Sequence, residues 1–385
     1  MNAQLWQIDS DKLVLRDYQE KSVQEARASI GKHKKIIVQL PTGAGKTIIA
    51  TKMIQDAKNK GLRCAFVCDR LSLVDQTSAV FAKYGLTHGV IQGDHPLYDP
   101  LCSVQICSVQ TLARRAYKPF DFAIIDETHS FHEAHKKICE DTPFVVGMSA
   151  TPWRNGLGKY YSDLVSPVSV RNLIDGGHLV DFDVYAPDTI NTNGLKTVAG
   201  DFVEKELSER ADKPSITGDI VEHWSRLAKD LKTICFCVNI AHAKHLAREF
   251  NRNGVEAVQV NSFQKSGEER AMVMDSFCEG SARVICSVDI LGKGFDYPQV
   301  DCVVLARPTK SPTVFVQQVG RGLRTYPKAP RCLILDHAGN TERLGFVDDM
   351  PFIPLNTNKK SKSGASKEKE KKEKEPMKCK SYDLH

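Results

Sequence analysis

"KKIIVQLPTGAGKTIIATKMIQDAKNKG" runs from Lys34 to Gly61, and how it is read decides the architecture of the chain. Lys34–Leu40 is a short β-branched, apolar run of the kind that forms a buried strand, whereas Lys46–Gly61 has the pattern of a helix. Gly43, Gly45, Lys46 and Thr47 therefore stand where a strand turns into a helix. Glycines there let backbone N–H groups close around phosphate oxygens, and a helix N-terminus favours an anion. Lys46 would reach the terminal phosphates and Thr47 would offer its hydroxyl to Mg²⁺. The strict phosphate-loop pattern asks for glycine where Leu40 stands, so this is a variant form. A glycine-bearing turn can be purely structural, but Gly-x-Gly-Lys-Thr after a strand and before a helix points to a nucleotide.

The same strand–helix alternation extends in both directions. "RCAFVCD", "SVQICSV", "FAIIDE" and "FVVGMSA" read as further buried strands of one lobe. "TICFCV", "EAVQVN", "RVICSV", "DCVVLA" and "RCLILD" repeat the scheme in a second lobe. Strands alternating with helices imply parallel α/β sheets, and the repetition implies two of them in tandem. The expected organisation is residues 1–157 as a nucleotide-binding lobe, 158–214 as a connection of weaker pattern, 215–350 as a second lobe, and 351–385 as a disordered charged tail rich in Lys and Glu.

Two further stretches carry chemistry. "FAIIDETH" ends a buried strand on Asp126 and Glu127. Adjacent carboxylates are costly there unless something positive arrives, and the crevice beyond strand ends is where doubly wound sheets take ligands. Asp126 would hold Mg²⁺ through its water shell and Glu127 would orient and deprotonate an attacking water. Much later, "FVQQVGRGLR" spaces Gln317, Gly320, Arg321 and Arg324 at i, i+3, i+4 and i+7, so a helix would present them on one face. Ser311 and Pro312 suit its N-cap and first position, and Pro327 would stop it. The arginines either complement the helix dipole or meet a polyanion.

At 385 residues, with 41% apolar and 26% charged residues, the chain fits two ordinary globular cores. No apolar run approaches the roughly 18 residues needed to span a bilayer, so a cytoplasmic, intracellular protein without membrane association is expected. Twelve cysteines are scattered without any C-x-x-C pair and read as small buried hydrophobes. The net charge is +6, but ten Lys against four Glu and one Asp from Lys359 to His385 account for five of it. Nucleic-acid affinity in the body must then come from local patches. The tail itself reads as solubilising; the alternative reading is a charge tether for DNA.

Six ordered motifs give a resemblance. "LRDYQ" at Leu15, "PTGAGKT" at Pro41, "DETH" at Asp126, "SATP" at Ser149, "GKGFDYPQVD" at Gly292 and "QQVGRGLR" at Gln317 make the chain similar to superfamily 2 DEAD/DEAH-type DNA helicases. Within them it looks most like RadD-type helicases and ATP-dependent helicases of bacteriophages, proteins of the bacterial or host-cell cytoplasm tied to DNA repair or recombination. The resemblance covers roughly Asp11 to Gly345. It departs at the end, where RadD-type proteins carry a cysteine-rich zinc module and this sequence has the lone Cys379 in "MKCKSYDLH".

The resemblance implies two RecA-like lobes that clamp ATP and Mg²⁺ and couple hydrolysis to movement along DNA or its unwinding. It gives Thr42, Gly43, Ala44, Gly45, Lys46 and Thr47 to the phosphates, with Thr47 and Asp126 for the metal. Gln19, with Arg16 near it, would read adenine, because an amide can pair with the N6 and N7 edge. Ser149 and Thr151 would couple nucleotide state to closure, and Gly294 and Asp296 would face ATP from the second lobe. Lys46, Asp126, Glu127, Gln317, Arg321 and Arg324 form the implied catalytic set, the arginines as fingers supplied in one chain. Arg70, Gln76, Gln110, Thr111 and Asn239 would touch nucleic-acid phosphates, although polar loop residues and helix caps explain each equally. DNA, single-stranded, forked or branched, is the expected partner, with RNA left open. A duplex translocase without strand separation shares every motif, and a non-hydrolysing clamp is the reading from another class.

Overall fold

The computed structural model describes residues 13–356 except 188–189, 199, 262–266, 289–298, 328, 330 and 351. The first lobe contains β1 (Lys35–Gln39), β2 (Cys64–Cys68), β3 (Gly89–Ile91), β4 (Val104–Ser108), β5 (Phe122–Ile125), β6 (Phe144–Ser149) and β7 (Asp163–Val165). They form one sheet of order β3-β4-β2-β5-β6-β1-β7 with every pairing parallel. Helices cover both faces, so β2 and β4 are buried along their whole length, as their unbroken apolar sequences require. The order makes β5, β6 and β1 neighbours. Asp126, Ser149 and the phosphate loop consequently emerge side by side at the carboxyl ends of those strands.

The second lobe uses β8 (Phe182–Tyr185), a small antiparallel hairpin of β9 (Thr197–Val198) and β10 (Asp201–Phe202), and then β11 (Thr233–Phe236), β12 (Ala257–Val260), β13 (Val284–Ser287), β14 (Cys302–Leu305) and β15 (Cys332–Asp336). Its parallel sheet runs β12-β13-β11-β14-β15-β8. The α/β class with two parallel-sheet lobes in tandem is the architecture the sequence implied. Nine of the eleven described cysteines are buried and none is bridged among the described residues.

Residues 158–214 do more than connect. They donate β7 to the edge of the first sheet beside β1 and β8 to the edge of the second beside β15. β7 has only three residues and β8 is interrupted by Asp183, so neither stands out as an apolar run, and both pair with a preformed sheet edge that supplies their hydrogen bonds. The hairpin β9–β10 is pinned to the second lobe through Asp201, which accepts from Thr309 Oγ1 and from the Lys310 N–H at 2.8 Å each. A continuous apolar cluster crosses the boundary between the lobes, from Val38, Leu40 and Ala44 through Leu179 to Val316 and Val303.

Beyond Leu344 the described chain returns to the first lobe, where Leu355 packs on its core. Asn356 accepts from the Gly156 N–H through Oδ1 and from the Gly158 N–H through its backbone carbonyl, both at 3.0 Å. Its amide also donates to Asn155 Oδ1 at 2.8 Å. These few contacts sit beside a run of low hydrophobicity, so composition alone hides them. The Lys/Glu-rich run 357–385 lies outside the described residues, as do Gly294 and Asp296.

The tightest packing in the second lobe is at Gly322. A Cβ there would stand 2.3 Å from Cys332 Sγ and 2.9 Å from Val303 Cγ2, both on buried strands. Gly322→Ala should therefore destabilise this lobe by about 1–3 kcal/mol, the usual cost of overpacking a filled core. Urea unfolding followed by circular dichroism checks this, and an unshifted midpoint would show that the lobe relaxes around the methyl group.

Candidate active site

The phosphate loop is a product of backbone geometry. Gly43 and Gly45 hold φ of +87° and +73°, in the left-handed region where a side chain is strained. Space forbids side chains as well: a Cβ on Gly43 would be 2.8 Å from Leu179 Cδ2, and one on Gly45 would be 2.6 Å from Gln19 Nε2. Gly45 caps helix Lys46–Lys58, which has no acidic residue in its first turn to compete for the N-terminal dipole. The donor set thus suits a polyphosphate. Thr42, Gly43, Ala44, Gly45, Lys46 and Thr47 all lie on this turn. Tyr18 Oη and Gln19 Nε2 support it from below, donating to the Ala44 carbonyl at 3.1 and 3.4 Å. The other end of the buried Gln19 amide accepts from the Arg16 N–H at 3.1 Å. Gln19 and Arg16 are therefore joined to the loop, as a base-side position needs, but the Gln19 amide is already engaged by protein.

Across the crevice, β5 ends in a strained turn. Glu127 has φ +48°, unusual for a residue with a side chain, and its N–H donates to Asp126 Oδ1 at 3.0 Å. Thr128 closes the turn by donating its hydroxyl to the Ile125 carbonyl at 3.0 Å and its N–H to the Met148 carbonyl at 3.0 Å. Asp126 is buried, and its pKa is pushed up to about 7 by burial first and by the Glu127 charge second. The Lys46 ammonium and the Glu127 N–H pull in the opposite direction. A carboxylate held this way, facing a lysine and a hydroxyl-bearing helix start, is a site that a divalent cation would relieve.

His129 joins this carboxylate pair to the other lobe, a role the sequence reading did not give it. Its Nδ1 lies 3.2 Å from Glu127 Oε2 and 3.0 Å from Ser149 Oγ, and Ser149 Oγ accepts from the Thr151 N–H at 3.0 Å. Gln317 Nε2, on the second lobe, lies 3.3 Å from His129 Nε2. With Gln317 as donor, His129 Nε2 accepts, and the ring proton sits on Nδ1, directed at Ser149, with Glu127 Oε2 close by but outside hydrogen-bond geometry. The "DETH" and "SATP" motifs and the late "QQVGRGLR" segment thereby form one hydrogen-bonded chain. The signal available in sequence was the histidine two residues after Glu127.

The late segment is not one helix. Ser311 caps it and Pro312 opens it as expected, but the helix ends at Val319. Gly320 to Leu323 turn, and Arg324 lies in extended backbone, bridged antiparallel to Leu179. The expectation of a shared helical face for Gln317, Gly320, Arg321 and Arg324 therefore fails. The physical reason is close packing: the chain must press Gly320 against Thr42, where a Cβ would come within 2.7 Å, and Gly322 against Cys332. The two glycines bend the run away from helical continuation. The Arg324 stem nevertheless lies beside the phosphate loop, its Cγ 3.7 Å from where a Cβ on Gly43 would stand. Arg321 is buried, 5% exposed, in the turn.

The nucleic-acid candidates divide. Gln110 and Thr111, just after β4, line a concavity together with Leu71, Gln92, His95 and Ser108, while Arg70 is the N-cap residue of the helix Leu71–Lys83 that carries Gln76. Gln76 and Gln110 are exposed, and Gln110 Nε2 donates to the Asp69 carbonyl at 2.7 Å. Thr111 is engaged locally, taking the Ser108 hydroxyl at 2.9 Å and the Gly93 N–H at 3.2 Å. Asn239 is engaged by protein groups. Its Oδ1 caps helix Ile240–Arg252 by accepting from the His242 N–H at 2.9 Å, and its amide donates to Ser208 Oγ at 2.8 Å. Helix Glu204–Ala211 brings Ser208 over it, a neighbour that no local pattern around Asn239 announces.

The buried Asp126 makes a sign-definite prediction. Its folded pKa of about 7 lies above its ordinary 3.8, so the folded chain keeps a proton that the unfolded chain has lost. Stability should fall as pH rises between those values. Asp126→Asn should remove this decline, so its gain in urea midpoint over wild type should be larger at pH 8 than at pH 5. Equal gains at both pH values would contradict the assignment.

Known proteins match this chain over both lobes. Residues 12–154 match the family model described as "Type III restriction enzyme, res subunit", and residues 213–326 match "Helicase conserved C-terminal domain". The 51.5 kDa protein of a Lactococcus phage is 30% identical over 81% of this chain and 67% of its own length. The IRC3 protein of Saccharomyces cerevisiae is 29% identical over 85% of this chain, which spans only 52% of the yeast protein. DNA 3'-5' translocase XPB2 of Sulfurisphaera tokodaii is 25% identical, covering 83% of this chain and 80% of XPB2. A solved fragment from Vibrio vulnificus YJ016, assigned to an HsdR subunit of a type I restriction enzyme, shares the fold with a TM-score of 0.70. It is 24% identical and covers 88% of this chain and 67% of that fragment. The chain belongs to the superfamily 2 DEAD/DEAH-type helicases, a family of nucleic-acid-dependent ATP hydrolases.

Proposed function

We propose that this chain is an ATP-driven DNA motor in which nucleotide is clamped between the two lobes. The observation that carries the reading is the composite crevice, where Arg324 of the second lobe lies beside Gly43 and Gln317 meets His129. Support for DNA over RNA comes from the similarity to a named DNA translocase.

Mg²⁺ held by Thr47 and Asp126 would supply charge neutralisation on the phosphate oxygens. Lys46 binds the terminal phosphates, and Glu127 accepts the proton of the attacking water as the water adds to the γ-phosphorus and the bond to the leaving diphosphate breaks. Arg324, with Arg321 as the neighbouring candidate, balances the charge that accumulates on the transferred group. Gln317 and His129 keep Glu127 in register with the second lobe. ATP thus favours the closed arrangement and hydrolysis releases it, a hinge-type change that can step the lobes along a strand. In this reading Arg70, Gln76, Gln110 and Thr111 track the strand from the first lobe.

A duplex translocase that leaves strands paired is the second reading, favoured by the restriction-subunit family match over the first lobe. A forked duplex and a triplex-displacement substrate, assayed in one salt, separate the two. Helicase action displaces the fork strand, whereas translocation alone displaces only the triplex strand.

Glu127→Gln should bind ATP as wild type does and lose DNA-stimulated hydrolysis, by at least two orders of magnitude on the scale of general-base removal, ~10²–10⁴-fold. Arg324→Ala should also spare binding and slow turnover by about 10³-fold or more, the scale of an arginine finger. Steady-state hydrolysis with equilibrium nucleotide binding checks both. Retained turnover in either variant would remove that residue from the mechanism.

A further inference from the structure

His178, Leu179 and Val180 are consecutive residues between helix Val170–Asp175 and β8, and each meets a different part of the nucleotide crevice. The His178 ring packs on the Tyr18 ring, centroids 4.7 Å apart and planes at 47°. Tyr18 is the residue whose hydroxyl supports the Ala44 carbonyl under the phosphate loop. Leu179 is buried, and its Cδ2 fills the space a Gly43 side chain would take. Leu179 is also the bridge partner of Arg324, and the Val180 N–H donates to the Leu323 carbonyl at 2.9 Å.

The run has little slack. The His178 and Leu179 N–H groups both donate to the Leu173 carbonyl, at 2.7 and 3.0 Å. A displacement of His178 therefore reaches Arg324 through one intervening residue. The segment belongs to neither motif-bearing lobe, and its position at the base side, the phosphate loop and the second-lobe arginine is an arrangement of the fold.

We propose that His178 is a positioning residue that links occupancy of the nucleobase side to the placement of Arg324. The proposal rests on the ATP-motor reading above. Tyr18 and His178 offer an aromatic surface to a base, beside the Gln19 amide that the Ala44 carbonyl and the Arg16 N–H already hold. A purine presents a larger π-face to such rings than a pyrimidine does. A base stacked on the pair holds His178, and Leu179 then holds the Arg324 backbone against the phosphate loop. A poorly stacking base costs turnover, beyond what it costs in affinity.

The experiment measures steady-state hydrolysis of ATP and UTP by the full chain with saturating single-stranded DNA, for wild type, His178→Ala and His178→Phe. Wild type should favour ATP. His178→Ala should narrow the ATP:UTP ratio of kcat/KM about three- to tenfold, the scale of one aromatic pair, with kcat for ATP falling and kcat for UTP nearly unchanged. His178→Phe should keep the wild-type ratio. An unaltered ratio in His178→Ala, or a loss confined to KM, would overturn the proposal. A wild-type chain that hydrolyses neither nucleotide would instead remove the motor reading, and this proposal with it.

Discussion

The contact on which the molecule's function depends is the approach of the second lobe to the phosphate loop. Gly43 lies under Leu179 and beside Arg324, and Gly320 lies against Thr42, each without room for a methyl group. Two chains of backbone can come this close only where side chains are missing on one of them. The glycines of the "PTGAGKT" and "VGRGLR" motifs thus have a joint purpose: they bring the two half-sites within reach of one polyphosphate. In the proposed reading the two halves supply different groups. The first lobe holds the carboxylates and Lys46, and the second supplies Gln317, Arg321 and Arg324.

Burial makes this arrangement responsive. Asp126 sits in the crevice with its pKa raised, and Glu127 is held in a backbone conformation that side-chain-bearing residues rarely adopt. Both features cost stability in the protein alone. A bound cation and nucleotide would offset the first, and the hydrogen-bonded chain through His129 to Gln317 would carry the consequence to the other lobe. The lobes are further tied by β7 and β8 of the intervening segment and by Asn356, which returns from the second lobe to the Gly156–Gly158 backbone. Closure is therefore a movement between bodies already linked at several points.

What was legible in sequence was local. The phosphate loop, the "DETH" turn and ten of the parallel strands declare themselves through contiguous residues and periodicity. What was not legible depends on partners far away in the chain. The Arg324 spacing fits a helix, yet close packing of Gly320 on Thr42 and Gly322 on Cys332 bends the chain out of one. The Asn239 amide finds its partner Ser208 only once helix Glu204–Ala211 is placed beside it. The edge strands β3 and β7 have three residues each and β8 is interrupted by Asp183, so none stands out in sequence, and a sheet edge supplies their hydrogen bonds. His129 is a case between these, visible as a motif letter but meaningful only once Gln317 stands opposite it.

A structure of the full chain with Mg²⁺, a transition-state analogue of ATP and single-stranded DNA tests the composite site most directly. The account predicts the transferred-phosphate position between Lys46 of the first lobe and Arg324 or Arg321 of the second, with Glu127 facing the in-line water. A nucleotide held by the first lobe alone, with both arginines beyond hydrogen-bond reach, would contradict it.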